Sequence, residues 1–261
     1  MDKLITGLLS AVTGGALWEG FKFLYPEIKR KIDSYKEAND LLYKSIDPLL
    51  KSADELYGKL WSLAKEDFAT IINTKNSISK NPAHNLQYIL FLFAQFWANL
   101  EYIRLQNQYT SISRIKKGRQ LIRFIETFES RHFRILDRSI QRIIGETLIE
   151  YSGQKFTIMS LNEFINELNG PNQRISQWID QLQDFIKSVN DTRYRQQILK
   201  YGIIIATLID HFDPNYKVVR RREIYLNKLT IKSKKELEKN LFKHYLQFKK
   251  DPDIYYKINR P

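Results

Sequence analysis

Arg131, Arg134, Arg138 and Arg142 recur at intervals of three and four, the spacing that sets side chains on one face of a helix. The planar arginine fork grips phosphate or carboxylate in a bidentate manner, so such a face is a candidate anion site. The competing reading is an ion-pair lattice, with Glu126, Glu129 and Glu146 beside the row and Glu101 and Arg104 on an earlier helical stretch. Charge stripes on helices are usually paired or solvated, which favours the lattice.

A second basic set closes the chain. Residues 213–261 carry 14 basic and 6 acidic groups, +8 of a total net charge of +13. Arg220, Arg221, Arg222, Lys234, Lys235, Lys239 and Lys243 are the candidates for contact with an anionic partner. Three readings stay open. The lysines and arginines could meet nucleic-acid phosphates while Tyr225, Tyr245, Tyr255 and Tyr256 stack on bases. The amphipathic stretch 232–250 could lie on an anionic membrane. It could equally be the last helix of a bundle with a solvated basic face, the favoured reading.

Catalytic patterns are missing. His84, His132, His211 and His244 form no H-E-x-x-H, and Glu129 with His132 is a lone E-x-x-H where a di-iron bundle needs a second and further glutamates. No phosphate-cradling glycine loop and no G-x-S-x-G elbow occurs. Asp210-His211-Phe212-Asp213 closes a helix before Pro214, where a histidine cation suits the helix dipole. The expectation is a non-enzymatic protein with no cofactor, no metal and no identified small-molecule substrate. With no cysteine there is neither a disulfide framework nor a thiolate metal site, which fits a reducing compartment.

Residues 4–25 (LITGLLSAVTGGALWEGFKFLY) pose the membrane question. Fifteen uncharged residues span about 22 Å as a helix, short of a hydrocarbon core of roughly 30 Å. Gly7, Ala11 and Gly15 recur every fourth residue, a spacing that lets two helix backbones approach, and Trp18 is an interfacial anchor. Membrane attachment and a docked or self-associating soluble helix are weighed equally. A signal peptide is disfavoured, because Lys3 is balanced by Asp2 and the cleavage pattern is poor.

The elements that must position these residues are helical. Residues 83–105 (AHNLQYILFLFAQFWANLEYIRL) are polar only at Gln95 and Asn99 between Tyr88 and Leu100, so this helix is buried on all sides. Asp47-Pro48 reads as an N-cap and first-turn proline restarting a helix after Pro26 has closed the one before. Residues 73–82 read as a loop, 111–120 as a basic connector, and 151–160 as a loop with a brief extended piece. Ser160 and Glu163 form a capping-box pattern. Amphipathic patterns over 172–189 and 193–211 supply two further helices.

LFAQFWANLEYIR, followed some thirty residues later by FRILDRSIQRIIGE, resembles a family of uncharacterised bacterial helical proteins. In that family an aromatic helix with Glu-x-x-Arg precedes F-R-x(n)-R-x-x-x-R-x-I-G-E. The likeness covers about residues 45–150 and falls on Glu101, Arg104, Phe133, Arg134, Arg138, Arg142, Gly145 and Glu146. It implies a helical fold and a bacterial source, and carries no activity.

The fold class expected is all-α: a multi-helix bundle around a buried central helix over 83–109. Residues 1–25 form an apolar N-terminal helix, 27–212 the bundle, and 213–261 a basic C-terminal helical region. The functional expectation is a membrane-associated bacterial scaffold, sensor or effector, cytoplasmic and at the inner face of the membrane. Its partners would be an anionic membrane and a second copy of itself. The alternative is a soluble basic bundle that binds nucleic acid through the C-terminal region.

Overall fold

In the computed structural model 77% of the chain is helical, and the fold is all-α. The structure describes the backbone of residues 2–72, 82–109, 112–152, 155–170, 175–221 and 223–257, and the side chains of 25–72, 84–106, 112–151, 156–170, 175–221 and 223–257.

Helix α1 (Asp2–Lys65) is continuous through Pro26 and Pro48, so the expected breaks do not occur. Proline removes one N–H and crowds the preceding turn. Here Pro48 is exposed, and so is Lys44, the residue whose carbonyl loses its partner. On the opposite side Ser45, Ile46, Leu49 and Leu50 are buried and hold the axis straight against the bundle. The short helix α2 (Ala69–Ile72) follows Asp67 and Phe68, which turn the chain at positive φ. The loop expected over 73–82 lies outside the described residues apart from Pro82.

Helix α3 (Pro82–Tyr109) is the expected central helix. Its residues 89–94, 96–101 and 103 are all buried, because α1, α5, α6 and α7 pack around it. Burial of an aliphatic or aromatic side chain contributes about 1.5–3 kcal/mol each, so this helix anchors the core. Trp97 Nε1 donates to Tyr201 Oη at 2.8 Å inside it, satisfying both polar tips. Phe93, Phe96 and Phe128 surround that pair with tilted and edge-on ring contacts.

Helix α4 (Lys116–Phe128) and helix α5 (Arg138–Thr147) are separated by an ordered turn. After α5, Ile149–Ser152 (β1) pairs antiparallel with Lys155–Ile158 (β2), Ile149 opposite Ile158. The brief extended piece expected within 151–160 is β2, its pairing with β1 makes the stretch a hairpin instead of a loop, and Phe156 stacks its ring on Tyr102 of α3. Helix α6 (Leu161–Asn169) opens with the expected capping box: Glu163 N donates to Ser160 Oγ, and Ser160 N to Glu163 Oε2. Helix α7 (Ser176–Lys187) and helix α8 (Thr192–Phe212) follow, and residues 200–209 of α8 are all buried.

Asp213 organises the exit from α8 by accepting the backbone N–H groups of Lys217, Val218 and Val219. Burial pushes its pKa up, but the three amides and Lys217 outweigh this and hold the carboxyl below its ordinary range. Helix α9 (Ile231–Glu236) widens into a π-helical segment, Leu237–Tyr245, that packs on α4.

Contact between α3 and α5 depends on Gly145. A methyl group there would lie 2.8 Å from the carbonyl oxygen of Trp97, which is backbone and cannot give way. Gly145→Ala should destabilise the protein by ~1–3 kcal/mol in denaturant unfolding, whereas alanine's higher helix propensity alone would stabilise it.

Candidate anion site and exposed faces

The four arginines do not share a helix face. Helix α4 stops at Phe128, Arg131 and Arg134 lie in the turn that follows, and only Arg138 and Arg142 belong to α5. Tertiary demands overrode the helical spacing. Phe133 inserts fully into the core, and Asp137 caps α5 by accepting the Ser139 N–H at 3.1 Å. Buried Gln141 accepts from the amides of Ile135 and Leu136 at 2.9 and 3.1 Å. Gln197 of α8 donates to the carbonyl of Arg134. Lys200, also on α8, pairs with Glu236 of α9 at 2.7 Å.

Most acids of the region are committed. Glu129 holds Arg142 through both carboxylate oxygens, and this bond raises the guanidinium pKa despite partial burial. Arg134 pairs with Asp137 at 2.9 Å, and Arg123 with Glu126 at 3.0 Å. On α3, Arg104 pairs bidentately with Glu101 and lies 4.0 Å from Glu146. Burial raises the Glu101 pKa, against the pull of Arg104. Arg131 and Arg138 are exposed and have no ion-pair partner among the described residues. Both line a cleft of about 500 Å³ together with Ser130 and Tyr245. Ser130 is only 7% exposed, and its buried Oγ has no hydrogen-bond partner among the described residues. Ser130 carries no signal in the sequence, and Tyr245 appears there only as a candidate for base stacking, because contact with the cleft depends on the turn and on the docked C-terminal segment.

The C-terminal residues divide differently from the expectation. Arg220, Arg221, Lys235, Lys239 and Lys243 are exposed, Lys234 is half-buried and Lys243 pairs with Glu238 at 2.7 Å; Arg222 lies outside the described residues. The apolar face of the segment, with Leu237, Leu241 and Phe242, is buried in the bundle and cannot also enter a membrane. Tyr255 and Tyr256 are buried, hydrogen-bonded to Asp210 and Asp253, and Tyr225 packs on Trp61. These three tyrosines are not a stacking platform for bases.

His211 is not the helix-end cation expected from its position. It sits among the rings of Phe124, Phe212 and Phe248, with Nε2 3.1 Å from Gln120 Oε1. Burial, then Lys249 and Lys117, push its pKa from 6.5 down to about 4, so the ring is neutral at pH 7.

Helix α1 presents an apolar row to solvent. Tyr25, Ile28, Ile32 and Tyr35 are each about half exposed, and all residues from 25 to 33 are exposed. Ala38 is the first buried side chain of α1 among the described residues, and Arg114 donates to Ser34 Oγ at 2.6 Å just before it. Lys29, Lys31 and Lys36 flank the row. The side chains of Gly7, Ala11, Gly15 and Trp18 lie outside the described residues. Among the described residues no helix is long and apolar enough to cross a membrane, and no group of three or more His, Asp or Glu is placed to hold a metal.

No known protein family, curated protein or solved structure matches this chain.

Glu129→Gln removes the charge opposite Arg142 and should lower unfolding stability by ~1–3 kcal/mol; an unchanged denaturant midpoint would exclude a structural role for the pair. His211 gives a pH signature. An unfolded histidine takes up its proton near 6.5 and the folded one only near 4. The stabilisation is therefore complete above pH 6.5 and is lost progressively as pH falls toward 4. Between about pH 7 and pH 4.5 the wild type should lose ~2 kcal/mol more than His211→Gln, read as the difference in thermal unfolding.

Proposed function

We propose that the protein is a membrane-associated helical scaffold of a bacterial cell, attached to an anionic membrane surface by α1. The observation that carries this reading is the half-exposed apolar row Ile28, Ile32 and Tyr35, continued by Tyr25, on a stretch of α1 whose residues 25–33 are all exposed. A helix without tertiary contacts is marginal in water, and most helical stability in proteins comes from a packed apolar face. Ile28, Ile32 and Tyr35 leave about half of their surface exposed, which suits an external surface.

Charge complementarity favours an anionic membrane over a second copy. The row follows the heptad positions of a coiled-coil seam, which puts Lys29 and Lys36 on one flank and Lys31 on the other. In a pair of identical helices those lysines would face one another. Against an anionic leaflet each lysine near the surface contributes about 1 kcal/mol. The uncharged residues 4–18 precede the row in the same helix and supply the second, apolar signal that stable attachment needs. The absence of cysteine fits a reducing compartment and supports the cytoplasmic face of the membrane.

Flotation of the full chain on vesicles of neutral lipid, with and without an anionic lipid, tests the proposal. Full-length protein should float with anionic vesicles, and Ile28→Asp/Ile32→Asp should float several-fold less. Part of the binding should persist in high salt, which screens lysine but not apolar contact. Failure of the wild type to float on any vesicle would end the membrane reading, and equal flotation of the double variant would remove α1 from it.

A further inference from the structure

We propose that the cleft beside Ser130 is a binding site for a phosphate monoester. Three arginines and three acids line it, yet the charges do not cancel pairwise within it. Glu126 is taken by Arg123 and Glu129 by Arg142, both outside the cleft lining, and Asp137 is taken by Arg134. Arg131 and Arg138 form no direct ion pair among the described residues and line the same space, with Arg138 adding only its longer-range attraction to Asp137. An unoccupied pair of like charges is unfavourable, and a dianion between them removes the repulsion and gains charge-assisted hydrogen bonds. A phosphate monoester carries a charge close to −2 at pH 7 and offers three acceptor oxygens.

Ser130 supplies the independent observation. The residue lines the cleft, and its Oγ is buried with no hydrogen-bond partner among the described residues. A buried hydroxyl left unsatisfied is destabilising, and a phosphate oxygen that reaches it and accepts its proton offsets this. Tyr245 reaches the same cleft from the π-helical segment, with no hydrogen bond to its phenol among the described residues.

The surroundings suit a ligand larger than phosphate alone. A volume of about 500 Å³ is within the range of small-molecule pockets. A neighbouring groove of about 310 Å³ shares Arg131, Arg134 and Asp137 with it and continues to Phe185 and Tyr194. These two rings pack edge to face, and Arg193 lies 4.8 Å over the Tyr194 ring. An organic phosphate seated on Arg131 and Arg138 can extend a planar group toward that aromatic wall, where stacking is available. A nucleoside monophosphate has this shape.

Calorimetric titration of the full-length protein with AMP, inorganic phosphate and adenosine is the test, alongside Arg131→Ala/Arg138→Ala and Ser130→Ala. Both arginines are exposed and unpaired, so the double variant should keep its fold, checked by circular dichroism. AMP should bind more tightly than inorganic phosphate, and adenosine should give no saturable heat. The double variant should lose more than about tenfold in affinity, and Ser130→Ala a smaller amount. A parallel arm uses vesicles with phosphatidic acid, a monoester, against vesicles with phosphatidylglycerol, a diester. Arginine-dependent binding to the first vesicles without binding of AMP would identify the monoester as a lipid headgroup. The proposal is overturned if AMP binds the double variant as well as the wild type, if adenosine binds as well as AMP, or if neither AMP, inorganic phosphate nor phosphatidic acid binds. The α1 variant Ile28→Asp/Ile32→Asp should bind AMP normally, which separates failure of this site from failure of membrane attachment.

Discussion

Enclosure of α3 is the constraint on which the other elements depend. A helix apolar around its whole circumference cannot face water on any side, so α1, α5, α6 and α7 must surround it. Helices α3 and α5 approach closely at Gly145, where the Trp97 carbonyl leaves room for a hydrogen atom and not for a methyl group. The hydrogen bond from Trp97 to Tyr201 ties the same part of α3 to α8, and it is formed in a region where an unpaired indole N–H would be costly. Residues that hold the core together thus set the positions of every exposed group.

The turn between α4 and α5 is a consequence of that packing. Once α5 is fixed against α3, the nine residues between the two helices must close the gap while Phe133 stays buried. Backbone groups freed by the end of α4 are then taken up by side chains: Gln141 serves Ile135 and Leu136, and Gln197 serves Arg134. Lys200 is the least expected member. It is 6% exposed in a run of apolar residues, and Glu236 from α9 compensates its charge, so the C-terminal segment is tied to the wall behind the cleft.

Fold and site were legible in the sequence to different degrees. The central helix, the capping box at Ser160 and the long apolar run of α8 are visible because local periodicity and burial agree there. Of the hairpin at 149–158 only the brief extended piece at β2 was visible, since four-residue strands carry little periodic signal and their pairing is supported by a ring of α3. The continuity of α1 through Pro48 was hidden as well. Proline's local cost is a property of the sequence, whereas the solvent-facing side on which it falls is a property of the bundle.

By itself the sequence determined that the chain is helical, that one helix lies at the centre, and that positive charge collects toward the C-terminus, because composition and spacing act locally. Only the tertiary structure decided which charges are used up. Arg142 and Arg134 are spent on Glu129 and Asp137, Arg131 and Arg138 are left over, and Tyr255 and Tyr256 become core instead of surface. Pairing of charges depends on distances between residues far apart in the chain, and those distances exist only once the bundle has closed around α3.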